Sequence, residues 1–149
     1  FEKYYGLNQR HIELTREATT TGQTISPFGR VHEHKQRQTR NGLEWNVSDI
    51  TNHINQGCGA DVMAVARVVF ANRWMDSGLE GKLISTVHDS IVCDVPDKNV
   101  IPCAQLMFDT FRDLPKSISQ AYDVNWTLPL ICEIGAGPNQ KDLTEIKCT

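Results

Sequence analysis

The segment Lys82-Leu-Ile-Ser-Thr-Val-His-Asp-Ser-Ile-Val-Cys-Asp-Val-Pro96 decides how the rest of the chain is interpreted. Two short runs of β-branched and apolar residues flank the polar trio His88-Asp89-Ser90, a pattern that predicts a β-hairpin with polar residues at its tip. The tip contains neither Asn-Gly nor Asp-Gly, the dipeptides that most readily form tight hairpin turns. Awkward turns are tolerated most often where their residues have a function. We therefore predict that Asp89 is exposed rather than buried.

The composition is that of a globular chain or part of one. With 149 residues, 40% hydrophobic and 22% charged, the chain can bury one core. It contains no apolar run as long as a membrane span, so we expect no membrane partner. It begins at Phe1 without a methionine or a signal peptide, so we expect a fragment of a longer protein. Its five cysteines lack a Cys-x-x-Cys pair, which predicts reduced thiols and a cytosolic location.

Apolar residues at helical spacing predict three helices. The predicted bounds are residues 1–22 with Gly22 as the stop, a start at Asn46 or Ser48 with an end near Gly78, and a start at Asp97 or Asn99 with an end at Pro115. The apolar stripes of the second and third helices are Ile50, Ile54, Val62, Val65, Val69 and Trp74, and Val100, Ala104, Met107, Phe108 and Phe111.

Three stretches are predicted to be extended: Gln23–Ser26, the hairpin, and a final strand at Thr127–Ile134. Pro27-Phe-Gly-Arg30 is predicted to be a turn after the first of them, which can lead to a return strand. Strands separated by helices in this order predict an α+β fold, with an antiparallel sheet whose hairpin packs against the long helices.

A polar, basic segment lies between the first strand and the long helix, at residues 31–46. Clustered cations can contact nucleic-acid phosphates, but for a run of charges alone a solvated loop is the simpler interpretation. A net charge of −3 excludes a uniformly basic protein and permits a locally basic surface. His32 and His34 have no third metal ligand at a telling distance, so we predict surface histidines.

The first half of the long helix carries amides and glycines. Asn52 and Gln56 are four residues apart and therefore share a helix face. Donors on such a face suit the acceptors that all base pairs present in the minor groove, but from the residues alone the simpler interpretation is that these amides cap and solvate the helix. Gly57 and Gly59 each weaken a helix by roughly 1 kcal/mol relative to alanine, so we predict that another group approaches the backbone closely there.

The sequence Val87-His-Asp-Ser90 resembles the third conserved motif of family A DNA polymerases, the DNA polymerase I type. Three further segments resemble that family in the same order: Ile25-Ser-Pro-Phe-Gly-Arg30, Asn52-His-Ile-Asn-Gln-Gly-Cys-Gly-Ala-Asp61 and Leu128-Pro-Leu-Ile-Cys-Glu-Ile-Gly-Ala-Gly137. The resemblance implies that residues 1–149 are the C-terminal part of a polymerase palm domain. Residues 1–22 would end the helix that follows the fingers, and residues 31–46 would be an exposed basic loop.

The resemblance also implies a role for each candidate residue. Asp89 matches the family's catalytic, magnesium-binding aspartate, and His88 matches a residue that contacts the primer terminus. A turn histidine bonded to nearby backbone is the alternative for His88. Asn52 and Gln56 match positions that touch the primer-template. The basic residues expected to contact the DNA backbone are Arg30, Lys35, Arg37 and Arg40.

Nucleotidyl transfer in this family uses two Mg²⁺ ions held by carboxylates. The family's second aspartate lies on an upstream segment that this chain lacks, so we expect the isolated chain to be inactive and to bind metal weakly or not at all. Asp94 lies about 15 Å along the strand from Asp89, too far to replace it, and the direction of Asp61 is open. The expected partners are primer-template DNA, deoxynucleoside triphosphates and the missing N-terminal part of a replication or repair polymerase.

Three positions depart from the family pattern. Ser48 stands where an arginine is common, Ser90 replaces the usual acidic residue after Asp89, and Gln140 lies where a tryptophan is usual. The alternative function is a non-catalytic DNA-binding subunit or module of a split or retired polymerase. A His-Asp phosphohydrolase is disfavoured, because the other histidines lack a supporting ligand pattern. The family's distribution implies the cytoplasm of a bacterial or bacteriophage-infected cell.

Overall fold

The computed structural model describes residues 4–148, which form three long helices with short antiparallel strands between and after them. In chain order the elements are α1 (Tyr5–Thr21), β1 (Gln23–Ile25), β2 (Val31–Glu33), β3 (Arg37–Thr39), β4 (Gly42–Glu44), α2 (Val47–Ser77), β5 (Lys82–Val87), β6 (Ser90–Asp94), a 3-10 helix (Asp97–Asn99), α3 (Val100–Tyr122), β7 (Gly135–Ala136) and β8 (Thr144–Glu145). The chain divides into two compact units, and the boundary lies after Asp61, within α2. The residues up to Asp61 are the first unit, and those from Val62 onward are the second.

The predicted α+β class with antiparallel strands is confirmed. Within residues 4–148 the strands form four separate pairs, β1-β2, β3-β4, β5-β6 and β7-β8, rather than one sheet. The longest pair is the hairpin β5-β6, in which Lys82 faces Asp94 at the base and Val87 faces Ser90 at the tip. No helix in this range is long and apolar enough to cross a membrane.

The core of the first unit lies between α1 and the start of α2. Leu14 and Ala18 of α1 are buried together with Ile50 and Ile54 of α2, and Trp45 packs against this cluster. These α1 and α2 residues recur at intervals of four, which places each pair on one helix face. Burial of these two faces holds the first unit together.

The helix ends follow the sequence signals. Gly22 ends α1 with a left-handed φ of 75°, and its N–H donates to the Ala18 carbonyl at 2.9 Å. Asn46 caps α2, because its side-chain oxygen accepts the N–H of Asp49 at 3.3 Å. Helix α2 ends at Ser77, before Gly78 with a φ of 68°.

The prediction that Pro115 ends the third helix is wrong. Helix α3 runs on to Tyr122 with Pro115 in its interior. Proline has no N–H and leaves the carbonyl four residues earlier without its helical donor. Leu114 and Ile118 are fully buried on either side of it, and tertiary packing of such a face outweighs the local cost.

The predicted final strand at residues 127–134 does not form. Pro129 interrupts the stretch and cannot donate to a strand ladder. The side chains of Leu128 and Ile131 are 66% and 82% exposed, whereas Leu130, Cys132 and Ile134 are half-buried, so burial alternates over part of this stretch although it pairs with no strand in the described range. Regular pairing resumes only with the two-residue strands β7 and β8.

The segment at residues 31–46 is largely exposed, but it is not the loop that the sequence predicted. It contains β2, which pairs with β1, and the small hairpin β3-β4. His32 is buried, with 8% exposure, so the prediction of a surface histidine is wrong. A Cβ at Gly57 would lie 3.1 Å from Cε1 and Nε2 of His32. The predicted close approach to the glycine-bearing half of α2 is thus confirmed at Gly57.

Burial lowers the pKa of His32, and the neighbouring His53 and Arg30 lower it further. Asp61 opposes this shift. Nε2 of His32 is buried without a hydrogen-bond partner in the described part of the chain, so a proton there would have no acceptor. The pKa of the nearby His34 is also lowered, by burial and by His53.

Protonation of His32 is therefore coupled to unfolding. Because its pKa is lower in the folded state, the unfolded chain binds the proton first, and the free energy of unfolding should fall as the pH drops below about 6.5. We expect the urea midpoint to decrease between pH 7.5 and 5.5, above the range where carboxylates titrate. His32→Gln should reduce this pH dependence, and the His32→Gln/His34→Gln double variant should reduce it further. An unchanged pH dependence in both variants would contradict the assignment.

Candidate active site and nucleic-acid interface

The tip of the β5-β6 hairpin is a two-residue turn made of His88 and Asp89. Both residues are exposed, so the predicted exposure of Asp89 is confirmed. His88 has a φ of 52°, a positive value that is uncommon for non-glycine residues, although Asn, Asp and His adopt it more often than the others. The turn thus places an acidic side chain in solvent at the cost of local strain.

Ser90 stabilises this turn, a role that the sequence analysis missed. Its hydroxyl donates to the carbonyl of Val87 at 2.9 Å, across the last residue pair of the hairpin. An Asp or Glu carboxylate at this position could not donate that hydrogen bond. Compared with an acidic residue at this position, Ser90 removes one negative charge from the tip and adds a hydroxyl that closes the turn.

The base of the hairpin is fixed against α2. Gly81 has a φ of 141°, and a Cβ there would lie 2.7 Å from the Asp94 carbonyl oxygen and 3.0 Å from Cζ2 of Trp74. Asn99 donates from Nδ2 to the carbonyl of Glu80 at 3.0 Å. The hairpin thus begins at a position where only glycine fits.

The other acidic candidates are not at the tip. Asp94 pairs with Lys82 at the opposite end of the hairpin from Asp89. Asp61 is buried, with 5% exposure; it forms an ion pair with Arg30 and accepts a hydrogen bond from Ser26 Oγ at 3.4 Å. Asp61 therefore has a structural role in the first unit.

Asp89 is the carboxylate that the tip presents. Carboxylate oxygen is the donor type that Mg²⁺ prefers. Residues 4–148 do not bring three His, Cys, Asp or Glu side chains together as a metal-binding group. The site as described fits one protein ligand of a magnesium centre rather than a complete coordination sphere.

The exposed face of α2 carries the two amides singled out from the sequence. Asn52 and Gln56 are both exposed and one helical turn apart. Gly57, the next residue, is covered by the His32 ring, whereas a Cβ at Gly59 would meet no atom within 4 Å. The close approach inferred from the glycines therefore explains Gly57 only.

The four basic candidates are all exposed, but two of them are paired. Arg30 forms an ion pair with Asp61, and Arg37 forms one with Asp49. Lys35 and Arg40 form no ion pair within the described range. The two unpaired cations are thus the better placed of the four to meet an external anion.

The turn between β1 and β2 is built around Ser26, which the sequence analysis did not single out. Ser26 Oγ accepts the N–H groups of Phe28 and Arg30 at 3.3 and 3.2 Å, and it donates to Asp61. Gly29 has a φ of 77°, as this turn requires. A serine followed by Pro-x-Gly is the sequence signal that could have identified it.

Comparison with known proteins assigns the family. The sequence pattern described as DNA polymerase family A matches residues 1–142, so the chain belongs to this family. It is 25% identical over 139 residues to DNA polymerase I of Streptococcus pneumoniae, covering 92% of this chain and 15% of that protein. It is 31% identical over 142 residues to DNA polymerase I of Pseudomonas aeruginosa, covering 93% of this chain and 14% of that protein.

A solved structure shares the fold. The POL domain of Pol1 from M. smegmatis, in complex with DNA primer-template and dNTP, superposes with a TM-score of 0.67 at 22% sequence identity. The match covers 76% of this chain and 20% of that one. The chain thus spans about one seventh of the two curated relatives and a fifth of the solved structure.

The strained turn generates a prediction about stability. His88→Gly should relieve the left-handed φ and raise the free energy of unfolding by up to about 1 kcal/mol, measured by urea denaturation with circular dichroism. The matched control is Asp89→Gly, because Asp89 does not have a positive φ. That variant should lower stability, since glycine adds only flexibility there. Equal effects of the two substitutions would show that the turn is unstrained.

Proposed function

We propose that this chain is the part of a DNA-directed DNA polymerase that supplies one catalytic aspartate, Asp89, and contacts to the primer-template. The observation that carries the proposal is the exposed carboxylate on a strained two-residue turn, in a chain that belongs to DNA polymerase family A. The reaction is template-dependent nucleotidyl transfer. It joins a deoxynucleoside triphosphate to the primer 3′-hydroxyl and releases pyrophosphate.

Asp89 has the role of metal ligand at the reaction centre. Mg²⁺, when bound, lowers the pKa of the attacking hydroxyl and neutralises phosphate charge. The carboxylate needs to be exposed and fixed for this, and the turn provides both conditions. His88, on the same turn, contacts the primer terminus. Its ring can donate or accept a hydrogen bond with a sugar or phosphate oxygen.

Asn52 and Gln56 contact the minor groove of the primer-template. Side-chain amides can donate to purine N3 and pyrimidine O2, which occur in every base pair. Such contacts test base-pair geometry without selecting a sequence, as a polymerase requires. The exposure of both amides on one face of α2 supports this role.

The exposed cations of residues 30–46 contact backbone phosphates. Lys35 and Arg40 carry the larger share, because each cation is without a carboxylate partner in the described range. Arg30 and Arg37 retain guanidinium donors beyond those used by Asp61 and Asp49, so each can bridge a carboxylate and a phosphate. These contacts position the duplex and carry no sequence information.

The remaining parts of the site come from the N-terminal part of the polymerase. One carboxylate does not hold two Mg²⁺ ions, so a second acidic residue from that part completes the centre. The isolated chain is therefore inactive, and residues 1–149 act as the C-terminal part of a palm domain. The chain covers 15% of its Streptococcus pneumoniae relative, which leaves ample sequence to supply the rest.

Replacement of Asp89 tests this proposal. In the complete polymerase, Asp89→Ala should lower the single-turnover rate of nucleotide incorporation by at least about 10³-fold, because it removes a metal ligand from the reaction centre. The affinity for primer-template DNA, measured by fluorescence anisotropy, should change less than about threefold. Asp94→Ala, at the base of the same hairpin, is the matched control and should retain most of the activity. An Asp89→Ala enzyme with near-normal incorporation would refute the proposed role.

Replacement of Gln56 tests the groove contact. Gln56→Ala should weaken primer-template binding by about 1 kcal/mol, the net value of one hydrogen bond, and to a similar extent on A·T-rich and G·C-rich duplexes. Asn55→Ala provides the control, since Asn55 is exposed on the same helix one position away. A loss confined to one base composition would contradict a role in checking geometry.

A non-catalytic DNA-binding module is the second candidate. The observation that favours it is Ser90, which stands after Asp89 where family members usually carry an acidic residue. A retired polymerase would bind primer-template DNA and incorporate no nucleotide with either Asp or Ala at position 89. Comparing the incorporation rates of the unmodified polymerase and the Asp89→Ala variant therefore distinguishes the two functions.

A further inference from the structure

Arg67 has no role in the function proposed above, yet it links α2 to the hairpin close to the tip. We propose that Arg67 is a positioning residue that holds the outer half of the hairpin, and with it Asp89, through the hydroxyl of Thr86. This inference rests on the proposed function of Asp89. It concerns only the second unit, in which both partners lie.

The geometry of Arg67 is that of a two-point bridge. Its Nε donates to the carbonyl of Met63 on the preceding turn of α2 at 3.3 Å, and its Nη1 donates to Oγ1 of Thr86 at 3.2 Å. The first bond fixes the guanidinium to the helix, and the second fixes the strand to the guanidinium. Because the guanidinium group is planar and rigid, the two bonds restrain the strand relative to α2.

Thr86 lies on β5 one residue before the strand ends at Val87. It pairs with Ile91, one step inside the Val87–Ser90 pair that closes the tip. Asp89 is three residues further along the chain. A displacement of Thr86 relative to α2 would therefore also displace Asp89, because only the Val87–Ser90 pair and the turn lie between them.

The hairpin needs this second attachment because of an irregularity in β5. The base is fixed at Gly81, which leaves no room for a side chain beside Trp74. Between base and tip, however, the register shifts from Leu83 to Ser85, and Ile84 is 60% exposed. A bulge breaks the regular ladder and bends the strand, and a two-stranded hairpin is only marginally rigid. Fixing the base thus does not fix the tip, whereas Arg67 acts beyond the bulge.

The competing role for Arg67 is direct contact with a DNA phosphate, since its side chain is exposed. The two roles differ in their dependence on Thr86. A positioning arginine loses its effect when the Thr86 hydroxyl is removed, whereas a phosphate contact does not depend on that hydroxyl. A double-mutant cycle between the two residues measures this difference.

The test uses the complete polymerase with Arg67→Ala, Thr86→Val and the double variant. Each single substitution should lower the single-turnover incorporation rate about 3- to 10-fold, which corresponds to the net contribution of one typical hydrogen bond. The double variant should be no slower than the slower single variant. The apparent affinities for deoxynucleoside triphosphate and for primer-template should stay within twofold of the unmodified enzyme. Arg67→Lys should recover part of the rate, because its ammonium can donate to Thr86.

Arg73→Ala is the matched control, because Arg73 also lies on α2 but forms its ion pair with Asp113 at 3.0 Å and not with the hairpin. It should leave the incorporation rate unchanged. Multiplicative effects of Arg67→Ala and Thr86→Val, or a shallower salt dependence of DNA binding in Arg67→Ala alone, would overturn the proposal in favour of a phosphate contact. Unchanged rates in all the Arg67 and Thr86 variants would also overturn it. Failure of the proposed function is separate, since it would be seen as normal incorporation by Asp89→Ala.

Discussion

The start of the hairpin that carries the candidate catalytic carboxylate is set by one steric constraint, the absence of a side chain at Gly81. A Cβ there would lie 2.7 Å from the carbonyl oxygen of Asp94 and 2.8 Å from Cγ1 of Val95, closer than real side chains approach. The φ of 141° is in addition a conformation that L-residues rarely adopt. Because β5 starts at the next residue, this close approach sets the direction in which the hairpin leaves Trp74 of α2. Beyond the bulge in β5, the outer half of the hairpin has a separate contact with α2, the hydrogen bond between Arg67 and Thr86.

The first unit also contains polar contacts that fix the β1-β2 turn against α2, in addition to its apolar core. Asp61, with 5% exposure, accepts a hydrogen bond from Ser26 and forms an ion pair with Arg30. A buried carboxylate of this kind is stable only when its partners are in place. The packing of His32 against Gly57 adds a second fixed point between the β1-β2 pair and α2. Together these contacts fix the turn at Ser26 relative to the exposed Asn52–Gln56 face of the same unit.

Sequence patterns predicted the features that are governed by local rules. The hairpin and the ends of α1 and α2 follow from alternation and from terminal glycines, and the exposed tip follows from its polar residues. The errors arose where tertiary packing decided the outcome. Pro115 is tolerated because Leu114 and Ile118 are fully buried around it, and periodicity alone does not show that burial.

The same limit explains what was missed around the candidate site. His32 was predicted on the surface because its burial depends on a contact with Gly57, 25 residues away. Arg67 has no motif around it, and its significance comes only from its distance to Thr86. The family resemblance named candidate residues that touch substrate, but it could not name residues that act through a neighbour.

Ser90 shows how the tip can retain its geometry while its charge changes. An acidic residue beside Asp89 would place two like charges next to each other, which raises the pKa of one carboxyl and favours bound cations that neutralise them. A serine removes that repulsion, and its hydroxyl instead donates to the carbonyl of Val87 at 2.9 Å. The turn therefore holds Asp89 through a neutral hydrogen bond that does not require a metal ion to offset a second charge. The turn at the tip is thus closed by groups of the hairpin itself.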